Sequence, residues 1–315
     1  MLSDLQKAIL STIVYYDVLD MAPTFQEIYS NLLNWSNDAK PSLGEILTNL
    51  DYLKKEGIID QNLGFNFLPG RDNLSSERID RLNFLDQKWK KAKWGFKLLA
   101  TIPYVRIVFA SGSFALGNTD KDSDIDVLIV LKKGRIWTGR FLVTLLLHIL
   151  RLRRHGKKIK DRICLNHFIT DESMKIPFES LYNAHVYANL VPVLALHGAK
   201  PEDFFRANEW IKKYINFDTN AENFISSRTI KSNRLLIAKG SVREIILNTY
   251  LGDLIEKILK QVQEKRILNN PLSHEPKGHV VANDNMLAFH PDSPEDKIMQ
   301  KYRLKLAELG ISQVN

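Results

Sequence analysis

The chain has 315 residues, 44% hydrophobic and 25% charged, an ordinary balance for a folded globular protein. Its formal net charge of +8 suits nucleic acid or polyphosphate partners without specifying a fold. The single cysteine, Cys164, excludes an intramolecular disulfide and a cysteine-based zinc site, and no apolar run reaches the roughly 20 residues a membrane span needs. A cytoplasmic location without membrane contact is therefore expected, the more so because MLSDLQKAILSTIVYY has an early acid and no small-residue cleavage site.

The first segment, residues 1–70, places Leu5, Ile9, Ile13 and Val14 at helical spacing. Thr24 with Glu27, and Ser42 with Glu45, have the spacing of capping boxes at two further helices. The alternating stretch around Gly64-Phe65-Asn66-Phe67 reads as a small hairpin. Three short helices and a wing predict a winged-helix-like domain, in which contact with nucleic acid is one of several roles. Residues 71–103 form a helical connector with Leu82, Leu85, Trp89 and Phe96 as its apolar positions. Its lysines, interleaved with Trp89 and Trp94, suit either a solvated amphipathic face or contact with nucleic acid, and Pro103 ends it.

Residues 104–175 carry the chemistry. VRIVFASGSFALGNTDKDSDIDVLIV, from Val105 to Val130, reads as a buried strand, a small-residue turn, a polar loop and a second strand. Asp124 and Asp126 lie one residue apart, so the period of two places both on one face, with Ile125, Val127 and Ile129 on the other. Gly112 lets a phosphate approach the backbone and Ser113 offers it a hydroxyl. Ser123, beside the acidic pair, and Arg140, near the start of the helix from Ile136, are further nucleotide-binding candidates. Two converging carboxylates suit a divalent metal carrying a phosphate, so Asp124 and Asp126 are the metal-ligand candidates. A loop of seven cations between Arg151 and Arg162 follows, able to steer a polyanion.

The pattern G-S-x-A-x-G, followed by S-D-I-D and a hydrophobic strand tail, resembles the DNA polymerase β-like nucleotidyltransferase superfamily, closely over residues 104–170. The order of segments is similar to bacterial nucleotidyltransferase-domain proteins with a winged-helix-like N-terminus. This resemblance implies an α+β fold: a mixed β-sheet with flanking helices, preceded by the winged-helix-like domain and followed by a helical domain over residues 176–315. It implies transfer of a nucleoside monophosphate from a nucleoside triphosphate to a hydroxyl of RNA, protein or a small molecule, with Mg2+ or Mn2+ as cofactor. It also implies a third carboxylate on the next strand. There the sequence reads ICLNHFI, and the position expected to face the metal is Asn166, counted with Asp124 and Asp126 as catalytic. Asp161 and Asp171 are distant stand-ins, and His167 is expected on the opposite face, in the core. The alternative is a nucleotide-sensing or nucleic-acid-binding regulator with a degenerate core.

Beyond residue 176, FESLYNAHVYANLVPVLALHG reads as a helix kinked at Pro192, and a long helix is expected from Ser241 through Lys265. Tyr182, His185, Tyr187, Asn208 and Trp210 are candidates for lining a base or acceptor pocket. The tail from Asn269 is expected to be irregular up to a final helix near Pro294, with His274, His279 and His290 as surface or capping residues.

Overall fold

The computed structural model describes residues 2–35, 39–217, 228–231, 234–275 and 278–311. Helices α1 (Asp4–Val18), α2 (Phe25–Ser30) and α3 (Leu43–Lys55) precede a hairpin of β1 (Asp60–Asn62) and β2 (Phe65–Phe67), and then the 27-residue helix α4 (Asn73–Leu99). Next come β3 (Val105–Ala110), α5 (Gly112–Leu116), β4 (Ile125–Leu131), α6 (Ile136–Ile149), β5 (Ile163–Thr170), α7 (Leu181–Ala188), β6 (Val191–Ala195) and α8 (Pro201–Ala207). The chain continues through α9 (Arg234–Leu247), α10 (Tyr250–Leu268), β7 (His279–Ala282), β8 (Met286–His290) and α11 (Glu295–Glu308).

A six-stranded mixed sheet of order β6-β3-β4-β5-β8-β7 organises these elements. Only β4 and β5 run parallel, joined over α6 as a parallel pair requires. The strands' alternation sends Ile107, Phe109, Leu128 and Val130 to one face, against α1 and α7. Val108, Ala110, Ile125, Val127 and Ile129 go to the other, against α4 and α6.

Both expected capping boxes are present, and Ser3 with Gln6 forms a third. The apolar positions of α1 are not confined to one stripe: every residue from Ala8 to Asp17 is buried, because α1 packs against α3 and α11 and the rings of Tyr15 and Tyr16 close on His185 of α7. The described N-terminal helices thus share one hydrophobic cluster with the sheet. Asp17, buried in that cluster, is paired with Arg71 at 2.7 Å and with Lys305.

Helix α4 also departs from a solvated connector. Lys88 is 2% exposed, and its ammonium donates to the carbonyls of Lys121 (3.1 Å) and Ser123 (2.7 Å) and to Asp161 (2.9 Å). Arg78 donates to the carbonyls of Leu116 and Gly117, and Arg81 to the Asn118 side chain. Three cations of one helix therefore pin the loop that leads into Asp124.

The segment after residue 176 is not wholly helical, since it supplies three strands. The expected kink at Pro192 is instead edge strand β6, where a missing N–H is tolerated at the sheet margin. The single helix expected from Ser241 is two, α9 and α10, broken at Asn248-Thr249 with Thr249 extended as the cap of α10. The tail, expected to be irregular, forms the β7–β8 hairpin. Its turn is closed by the Asn283 side-chain oxygen, which accepts from the amides of Asn285 and Met286.

Candidate functional site

The strand-turn-strand unit builds the site from the backbone up. Where β3 ends, the Ser111 amide donates to the Asp126 carbonyl at 2.9 Å, which holds the turn against β4. Gly112 has φ +59°, and a Cβ there would lie 2.8 Å from Asp126 Oδ2, so a side chain at this position would collide with the carboxylate. The short helix α5 then stops at Gly117, which is left-handed. Asp124 sits just before β4 and Asp126 within it.

The parallel register puts Cys164 of β5 opposite Asp126, while the next pair is Leu128 with His167, so three residues of β5 span two of β4. This bulge changes which side chains face the site. Asn166 donates its Nδ2 to Asp126 Oδ1 at 3.0 Å. His167, expected on the opposite face, lines the same pocket. Ligand atoms of Asp124, Asp126 and Cys164 lie within 4.8 Å of one another, a group close enough to hold a metal ion.

The charges are arranged around that group. Arg154, from the basic loop, donates to Asp124 Oδ2 at 2.6 Å and lies 3.6 Å from the Cys164 sulfur. Burial raises the Asp126 carboxyl to about 6 and the Asp124 carboxylate adds to this, against lowering by Cys164, Arg154 and Asn166. Burial, reinforced by both carboxylates, pushes the Cys164 thiol up to about 12. His167 is 4% exposed and burial lowers it to about 3. Its Nδ1 is 3.4 Å from the Tyr187 hydroxyl and its Nε2 has no hydrogen-bond partner among the described residues.

A pocket of about 300 Å³ opens beside this group. Of the residues singled out from the sequence, Gly112, Ser113, Asp126, Asn166, Tyr182 and Tyr187 line it, and Asp124 adjoins it through Asp126. Ser123 does not line it: its hydroxyl is held in the preceding loop by Thr119 Oγ1 (2.5 Å) and the Asp120 carbonyl (2.9 Å). Arg140 lies across the sheet, because α6 covers the other face. There it donates to Gln263 at 2.5 Å and stands 4.9 Å from the centre of the Phe289 ring. Asp161 is paired with Lys88 and Lys91, and Asp171 accepts from the Lys133 amide, so neither stands in for a third acid. His185, Asn208 and Trp210 are core residues, with Asn208 bonded to the Ile176 amide, the Met174 carbonyl and the Trp210 indole.

The sequence reading missed Cys164 as a site residue. It also missed His279 and His290, which face one another across the β7–β8 hairpin and line the pocket. The signal for Cys164 was present, since alternation along ICLNHFI places residues 164 and 166 on one face. The hairpin signal lay in the apolar pairs flanking Asn283-Asp284-Asn285.

Residues 89–205 match the family model of the nucleotidyltransferase domain, a span that runs from within α4 to within α8. The β7–β8 wall of the pocket falls outside it. No curated protein and no solved structure matches the chain significantly. Among the described residues no helix is long and apolar enough to cross a membrane.

Proposed function

We propose, on the match of residues 89–205 to the nucleotidyltransferase domain model, that the protein transfers a nucleoside monophosphate from a nucleoside triphosphate to a hydroxyl of an RNA, protein or small-molecule acceptor. The observation that carries this reading is the convergence of the Asp124 and Asp126 carboxylates on the Gly112 turn beside the pocket. The donors fit a divalent cation, for which the resemblance implies Mg2+ or Mn2+; when bound, it would offset phosphate charge and stabilise the entering and leaving oxygens.

The chain's own groups have separate tasks. The Gly112 turn and the Ser113 hydroxyl receive a phosphate oxygen. Asn166 fixes the rotamer of Asp126, and Arg154 supplies a guanidinium for triphosphate charge. Tyr182 and Tyr187 give the pocket an apolar wall that holds base or acceptor out of water. A neutral Asn166 where the resemblance implies an acid favours a second reading, a nucleotide-sensing regulator that does not turn over.

The test is incubation with each α-labelled triphosphate, Mg2+ or Mn2+, and candidate acceptors. Transfer that is lost in Asp124→Ala/Asp126→Ala supports the proposal. Transfer that persists in that variant overturns the site. Binding of nucleotide with no pyrophosphate release under any condition selects the regulator.

A further inference from the structure

Three arginines gather on the face of the sheet that α6 covers, away from the pocket. Arg140 of α6 is half-buried. Its Nη1 donates to Gln263 Oε1 at 2.5 Å, and Gln263 is itself held by donating to the Trp137 carbonyl at 2.9 Å, so a neutral amide fixes the guanidinium. The Phe289 ring, centred 4.9 Å away, forms a floor. The Arg140 Nε is buried with no hydrogen-bond partner among the described residues. Arg78 and Arg135 share that deficit, but each is paired with a carboxylate, Glu27 and Asp253 respectively. Arg140 has no such pair among the described residues, and the charges that act on it are Arg153 and Arg266. Burial first, then these two cations, lower its pKa to about 10, so it stays charged at neutral pH. A partly buried cluster of cations without a counter-charge costs free energy that a bound anion relieves.

We propose that Arg140, Arg153 and Arg266 form an anion site that receives a phosphate group on the face of the sheet opposite the pocket. With Nη1 of Arg140 engaged by Gln263, the Nη2 side of its fork, with Nε behind it, is left for phosphate oxygens. Arg266 stands on α10, one turn beyond Gln263, and Arg153 arrives from the basic loop, where it bridges Ile163 at the start of β5. The next residue, Arg154, turns to Asp124 instead, so consecutive arginines serve the two sides of the sheet. The phosphate is either free or part of a nucleic-acid backbone that also reaches Arg154. Neither a cation nor nucleotidyl transfer enters this site, so its failure and the failure of the transfer reading are separate.

The full chain is tested in EDTA at constant ionic strength, by calorimetry with inorganic phosphate and by fluorescence anisotropy with a labelled single-stranded RNA. Whichever binds, Arg153→Gln and Arg266→Gln should each weaken it about tenfold, the loss expected for one charge-assisted contact. Arg266 is exposed, so its variant reads the site without disturbing the core. Arg140→Gln should weaken binding by at least as much. Inorganic phosphate that binds as tightly as RNA, with less than about a twofold change in Arg154→Gln, assigns the site to free phosphate. RNA that binds about tenfold or more tightly than phosphate, and is weakened by Arg154→Gln as well, assigns it to a nucleic-acid backbone. Absence of both phosphate and RNA binding in the wild-type chain overturns the inference. So does binding that survives in Arg153→Gln and Arg266→Gln, or that is lost in Arg154→Gln alone.

Discussion

The closest approach in the site gives its most decisive perturbation, Gly112→Ala. At φ +59° an alanine costs roughly 1–2 kcal/mol relative to glycine. Its Cβ would also stand 2.8 Å from Asp126 Oδ2, and ordinary contact begins at 3.4 Å, so the carboxylate must retreat by about 0.6 Å. That movement strains the 3.0 Å bond from Asn166 and re-aims the ligand oxygen. Since misplacement by about 1 Å costs around a hundredfold in rate, a loss on the order of tenfold or more in transfer is expected. Gly70→Ala is the control, because it has φ +80° but nothing within 4 Å of its Cβ. Urea unfolding should register a loss of about 1–2 kcal/mol in both variants, and transfer kinetics should fall only in Gly112→Ala. If the two variants fall together, or neither affects transfer, the close contact with Asp126 does not govern the site.

Three other outcomes follow from the structure. Lys88→Met leaves two carbonyls without their donor, while Asp161 keeps Lys91, so a destabilisation of about 1–3 kcal/mol is expected in thermal or urea unfolding. Faster proteolytic nicking between residues 118 and 123 should accompany it. Arg154→Gln breaks a partly exposed pair and should change stability by less than about 1 kcal/mol. In calorimetry without nucleotide the variant should bind cation more tightly, while its KM for the triphosphate rises. His185 titrates at about 3 in the fold, lowered by burial, against about 6.5 when exposed, so falling pH protonates the unfolded chain first. Its contribution is intact above about pH 6.5 and is lost as pH falls toward 3; between pH 7 and 5 the loss is about 2 kcal/mol. His185→Phe should reduce the fall of stability over that interval by about that amount, with His167 and His290 still contributing theirs, and an unchanged slope would refute the assignment.

The site's first half was legible because its physics is local. A buried strand, a glycine turn and two acids at period two need only neighbours in sequence, and so do the capping boxes at Thr24 and Ser42. What was not legible depends on partners distant in sequence. The β5 bulge, which turns both Asn166 and His167 to the pocket, exists only in register with β4. Lys88 looked like one more solvated lysine until the loop at Ser123 closed over it. Pro192 argued against a strand, and the sheet resolved this by placing β6 at an edge. Arg140 lies in the first turns of a helix near the motif, but the helix covers the opposite face.

The β7–β8 hairpin has a consequence in the order of synthesis. It covers the free edge of β5 and contributes His279 and His290 to the pocket, yet it follows Asp126 by about half the chain. At about 5–20 residues per second, the ribosome would deliver the acidic pair roughly eight to thirty seconds before the strands that enclose it. During that interval β5 presents unpaired N–H and C=O groups, the kind of edge on which nascent chains aggregate. Expression at lower temperature should therefore improve the yield of folded protein more than a stabilising substitution in the N-terminal helices, because the vulnerable species is one in which those helices are already made.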